Sequence, residues 1–121
     1  MSQSKEISVP QLVNQFAAVA VRQGEALLAD DIRQVNRLFD RLKEIENELK
    51  SRAGDQRAAL MSLYDSPNMH VRVKAAKATL AVAPAAARQQ LEDIAASGWQ
   101  PQAGEAGMSL WNLDRGVFKP T

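Results

Sequence analysis

Cysteine is absent from this 121-residue chain, so disulfides, thiolate metal sites and cysteine nucleophiles are excluded together. There is one histidine, which removes a multi-histidine metal centre. No apolar run approaches the roughly 20 residues that a membrane span needs. An excess of charge is also missing: 15 Lys plus Arg stand against 14 Asp plus Glu, a formal net charge of +1. That balance supplies no global attraction to nucleic acid or to a membrane surface. Lys5 and Glu6 precede a helical pattern, and the apolar core and cleavage site of a signal peptide are missing. A cytoplasmic location is expected. What remains is ordinary for a globular protein: 45% hydrophobic and 24% charged residues, at a length suited to one domain, 1–121.

Periodicity predicts an all-α chain of about six helices, with no alternating run that reads as a strand. Ser8-Val9-Pro10-Gln11 forms a capping box with proline in the first turn. Val9, Leu12, Val13, Phe16, Val19, Ala20 and Leu27 then recur on one face. Asp30 or Asp31 caps a second helix to about Arg52, with Ile32, Val35, Phe39, Leu42, Ile45 and Leu49 as its seam. Glu46–Lys50 and Glu48–Arg52 have the favourable i,i+4 order. Two helices of about 20 residues joined this closely predict an antiparallel hairpin over 8–53.

Beyond Gly54 the rhythm shortens. Short helices are expected over about 56–64 and 69–82, the second rich in alanine. Pro84 opens a third that stops at Gly98, where Trp99 is placed to cover Ile94 in a cap. Pro101 opens a last helix closed by Gly116, leaving a tail of 117–121. The helix pairs 55–83 and 84–116 are related by a shift of 31 residues, which lays Leu60 on Leu91, Leu63 on Ile94, Ala75 on Ala106 and Val82 on Leu113. A period near 30 with paired helices marks an α-solenoid.

The residues Leu60-x-x-Leu63-Tyr64-Asp65-x-Pro67-Asn68, followed by Val71-Arg72-x-x-Ala75-Ala76-x-x-Thr79-Leu80, resemble a short HEAT repeat. The stretch from about Asp65 to Thr121 is also similar to a bacterial family known as a domain of unknown function. Val71-Arg72, Ala75-Ala76-Lys77-Ala78, Ile94-Ala95-Ala96-Ser97-Gly98 and Gly116-Val117-Phe118-Lys119-Pro120-Thr121 carry that likeness. The HEAT resemblance implies a short HEAT/ARM-like scaffold in which the long hairpin acts as third layer and N-terminal cap. It also implies that Arg72 meets Asp65 in the turn, and that the second helix of each pair lines a concave groove.

Little in the chain suggests catalysis. His70 is read as a surface histidine beside Lys74, whose ammonium group depresses its basicity. Glu44 and Glu48, beside Arg41 and Arg52, read as a solvated ion-pair face. No serine has a nucleophile elbow, and Gly104-x-x-Gly107 follows no strand, so it is read as close helix packing. Trp99 and Trp111 are assigned to cap and core, and Gly98 and Gly107 to structural roles with them. One feature departs from even mixing: between Asp65 and Glu92 there is no acid, while Arg72, Lys74, Lys77 and Arg88 add positive charge.

His70, Lys74 and Lys77, with Glu105 and Met108 on the matching helix, therefore outline the expected groove. Lys74 and Lys77 are both expected to face solvent. The outer face with Arg37, Arg41 and Glu44 is a second surface. The expectation is a non-catalytic protein-binding module, an adaptor or immunity-type protein, without cofactor or metal and as a monomer or weak homodimer. The alternative is binding of nucleic acid or a phosphorylated ligand by the basic stripe, disfavoured by the neutral charge and the lack of stacking aromatics. Circular dichroism should give a helical spectrum, and a measurable strand signature would overturn this reading.

Overall fold

The computed structural model describes residues 7–121; Lys5 and Glu6 lie outside them. All regular structure among them is helical. The elements are α1 (Val9–Leu28), α2 (Ile32–Ser51), a 3-10 helix (Gln56–Asp65), α3 (Met69–Ala78), α4 (Pro84–Ser97) and α5 (Gln102–Asp114). The chain divides into two compact units, one ending at Ala59 and the other covering Leu60–Thr121.

The first unit is the α1–α2 hairpin. Ser8 and Gln11 complete the capping box, and the Asp31 carboxylate accepts from the Gln34 amide. Three ties fix the antiparallel register. Arg52 donates to the Ile7 carbonyl at 2.8 Å, Arg41 to the Gln15 side chain at 3.3 Å, and Gln23 to the Val35 carbonyl at 3.2 Å. Partners climb one helix as they descend the other. Glu48–Arg52 forms at 2.7 Å, whereas Glu46 pairs with Lys43 at 3.6 Å instead of with Lys50.

The α2 seam differs from the expected one. Leu38, Leu42, Ile45 and Leu49 are buried, while Ile32 and Phe39 are exposed. Steps of four, three and four residues follow a heptad stripe, which keeps facing one antiparallel neighbour along its whole length. Phe39 falls on the adjacent stripe, where the Lys43 ammonium lies 6.0 Å from its ring.

The 3-10 segment winds at three residues per turn, and Arg57, Leu60 and Leu63 recur at that interval. Arg57 is buried with its guanidinium clamped on Asp55 at 2.7 and 2.9 Å. α3 starts at Asn68, whose side chain accepts from the His70 and Val71 amides. It stops at Ala78, four residues short of the expected end. The Thr79 hydroxyl donates back to the Ala75 carbonyl at 2.9 Å and accepts from the Tyr64 hydroxyl at 2.6 Å. Pro84 then forces Ala83 out of helical geometry.

α4 closes at Gly98, whose φ of +70° is the left-handed conformation that glycine adopts readily. Trp99 does not cover Ile94; it is 64% exposed, with its amide held by the Ser97 hydroxyl. The core of the second unit is Val73, Ala76, Leu80, Ala87, Leu91, Ile94 and Ala106. Three of its seven members are alanines, so α3, α4 and α5 meet at short range. Ala76→Leu adds volume at a fully buried position and should lower stability by about 1–3 kcal/mol, read from urea unfolding. An unchanged midpoint would show that α3 does not pack in this way.

Candidate functional site

Of the expected groove residues, His70, Lys74, Lys77 and Glu105 come together where α3 lies beside α5, and Met108 lies one turn further along α5. The Gln102 amide nitrogen donates to His70 Nδ1 at 3.1 Å. Lys74 Nζ is 2.6 Å from Glu105 Oε2, and Lys77 Nζ is 3.1 Å from the same oxygen. Partners advance together along the two helices, so α3 and α5 run parallel. Gln102 was not picked out from the sequence; its place four residues after Gly98 gave no sign of a buried partner.

His70 is not a surface residue. It is 4% exposed, and burial first, then the Lys74 charge, pushes its pKa down to about 4. Glu105 raises it and Lys77 lowers it further. The ring is therefore neutral at pH 7, and with Nδ1 accepting from Gln102 its proton sits on Nε2. Lys74 does not face solvent either: only its partner Lys77 has a substantially exposed side chain. Burial raises the Glu105 carboxyl, but the two ammonium groups outweigh it and hold the group below its usual value near 4.5. The basic stripe is thus a partly neutralised cluster: two lysines and one glutamate leave one net positive charge.

Arg72 also differs from the expectation. Its guanidinium donates to the Ser66 backbone carbonyl, not to Asp65. The turn carbonyl lies within reach of the first turn of α3, and a charged donor on it satisfies a group that has no helical partner. Asp65 is exposed. On the second surface, Arg37, Arg41 and Glu44 are exposed, and Arg41 pairs with Glu44 at 3.3 Å.

Beyond Glu105, the exposed part of α5 carries large apolar side chains. Trp111 is 55% exposed, so it does not belong to the core, and Met108, expected in the groove, is 57% exposed. The Arg115 guanidinium lies 4.6 Å from the Trp111 ring, a cation–π contact. Gly107 packs on nothing: a Cβ there would meet no atom within 4 Å. At Gly104 it would meet only the Gln100 side chain, at 3.1 Å. Neither glycine serves close packing of helices within the chain. Among the described residues no group of three or more His, Cys, Asp or Glu side chains could hold a metal ion. No described helix is long and apolar enough to cross a membrane.

The cluster makes stability depend on pH. Because the His70 pKa is depressed on folding, the unfolded chain binds the extra proton first as pH falls. Stability is complete above about 6.5 and declines toward pH 4. Glu105, also depressed, adds a loss below about 4.5 as its carboxyl protonates. Urea midpoints measured between pH 7 and 4.5 should fall for the wild type and flatten in His70→Gln. An equal slope in both would sink the assignment of that window to His70.

No curated protein matches the sequence significantly. Protein RPA1889 from Rhodopseudomonas palustris CGA009, known from a crystal structure, is 54% identical with a TM-score of 0.94. The similarity covers 100% of this chain and 99% of that one. Residues 10–114 match the model of DUF2019, a domain of unknown function. With nearly the whole of the described chain inside that match, the protein belongs to the DUF2019 family.

Proposed function

We propose that this chain is a non-catalytic protein-binding module, a short helical-repeat scaffold of the HEAT or armadillo kind. Its docking surface is the α3–α5 face with Lys77, Glu105 and Met108. The observation that carries this reading is the Lys74–Glu105 pair. The two residues occupy matching places 31 residues apart and meet at 2.6 Å. Equivalent positions meet when the second helices of successive pairs stand side by side and parallel, the arrangement of an α-solenoid. Such scaffolds present the paired helices to a partner.

The chemistry of the cluster supports binding over proton transfer. His70 is buried and neutral near pH 7, with Nδ1 already engaged by Gln102. Both lysines share one carboxylate, which weighs against phosphate recognition, because a phosphate competes with Glu105 for them. Exposed Lys77 and Met108 offer a charge and an apolar contact to a protein surface.

Lys77→Glu reverses the exposed charge while Lys74 still holds Glu105. Folding should change by less than about 1 kcal/mol. A partner captured from the host, identified and reconstituted from purified components should bind the variant several-fold more slowly. A reconstituted complex indifferent to Lys77→Glu would place the docking surface elsewhere. Salt-sensitive binding of single-stranded DNA or RNA by the wild type would instead favour a nucleic-acid ligand.

A further inference from the structure

We infer that the charged outward face of α2 is an interface with a second copy of this chain, in which two α2 helices lie antiparallel about a two-fold axis between residues 40 and 41. This goes beyond the protein-binding reading, uses a different surface, and stands or falls separately from it.

At about 100° per residue, Arg33, Arg37, Asp40, Arg41, Glu44 and Glu48 fall within one arc of roughly 100° around α2. The buried stripe of Leu38, Leu42, Ile45 and Leu49 is turned well away from that arc. Five of the six charged residues are exposed and Glu48 is partly so. The face is therefore open along about 22 Å, at 1.5 Å per residue.

The order of the charges along this face is the first observation. Bases lead and acids follow, with Asp40 and Arg41 exchanged at the middle. Arg33–Arg37, Arg37–Arg41, Asp40–Glu44 and Glu44–Glu48 are all i,i+4 neighbours of like sign, each a small repulsion in a lone helix. Solvent alone would be better served by alternating signs at that step, as in Glu48–Arg52. Within the chain only Arg41–Glu44, at 3.3 Å, and Glu48–Arg52, at 2.7 Å, relieve the repulsion. Among the described residues no carboxylate pairs with Arg33 or Arg37, and no base pairs with Asp40.

The second observation is that this order is its own complement. Laid against a reversed copy about the point between 40 and 41, Arg33 meets Glu48, Arg37 meets Glu44, and Asp40 meets Arg41. All three matches are opposite in sign, and the two-fold axis doubles them. Arg37 and Glu44 lie nearest the midline of the face, so they meet most directly. Arg33 and Glu48 reach across the midline, and Arg52 holds only one of the two Glu48 carboxylate oxygens. At the axis two Asp40 and two Arg41 side chains gather as a neutral group. A parallel, in-register pairing sets every charge against its own kind, so it is repelled. An antiparallel pairing slipped by four residues keeps four matches in place of six.

Three bases and three acids make the face neutral, so its attraction is one of pattern and not of net charge. A foreign partner would have to carry the same pattern independently; a second copy carries it necessarily. Because one patch serves both copies, the contact is isologous and closes at two. Exposed ion pairs are individually weak and screened by salt, so the dimer is a weak, salt-sensitive one.

Sedimentation equilibrium of the purified full chain at low salt, up to millimolar concentration, should show a monomer–dimer equilibrium. It should vanish toward about 1 M salt, where the screening length is about 3 Å. Arg37→Glu and Glu44→Arg each turn two attractive contacts into repulsive ones, and each alone should weaken self-association by about tenfold or more. Mixed in equal amounts, the two variants should form a heterodimer, because each supplies the charge that the other lacks at both contacts. A chain carrying both substitutions should self-associate within about threefold of the wild type, the signature of a direct pair in a double-mutant cycle. Both positions are exposed, so circular dichroism and thermal midpoints should stay close to those of the wild type. A chain that remains monomeric at millimolar concentration and low salt overturns the proposal. So does a dimer indifferent to both reversals, or one that both weaken and that neither mixing nor the combined variant restores. Each of these results leaves partner binding through Lys77 untouched, and loss of partner binding leaves self-association untouched.

Discussion

Alanine sets the geometry of the second unit. Ala76, Ala87 and Ala106 are fully buried where α3, α4 and α5 meet, and a methyl side chain lets helix axes come to the near end of the usual 8–10 Å separation. The polar features of this unit follow from that closeness. α3 and α5 are near enough for Lys74 and Lys77 to share one carboxylate oxygen, and for His70 to lose its water to Gln102. Larger residues at the alanine positions would separate the helices and return these groups to solvent.

Glu105 is the electrostatic counterpart of that packing. A carboxylate removed from water is unfavourable by itself, and burial does raise its pKa; two ammonium groups reverse the sign. The same lysines work against His70, which is depressed by burial and by Lys74 together. One acid thus permits two cations and a neutral imidazole to occupy a small space. The arrangement leaves little charge facing outward, and it shifts attention from the stripe of α3 to the apolar side of α5.

On that side the physical logic is reversed. Tryptophan and methionine are exposed there, while Gly104 lies against the Gln100 side chain that accepts from its amide, and Gly107 stands next to open space. The core of the unit accounts for the inner face of α5, whereas Trp111 on the outer face is covered only by the Arg115 guanidinium among the contacts described.

Local chemistry in the sequence was enough for the helices and most of their ends. The Ser8 box, the Asp31 and Asn68 caps, Pro84 and Gly98 act within a turn of themselves, so composition at a few adjacent positions decides them. The 31-residue shift likewise exposed the equivalence of Lys74 and Glu105 and placed both in one expected groove. Register and burial were beyond that reach. Whether Leu38 or Phe39 lies inward depends on how the two helices of the hairpin pair, because both fit an apolar stripe in one helix alone. His70 is buried because Gln102, 32 residues away, arrives against its ring. Trp99 and Trp111 face outward, and the inner side of their unit is filled largely by alanine and leucine. The sequence by itself determined where the chain turns helical, since those preferences are local. Only the tertiary structure decided which faces are covered, since coverage belongs to pairs of segments and not to either one.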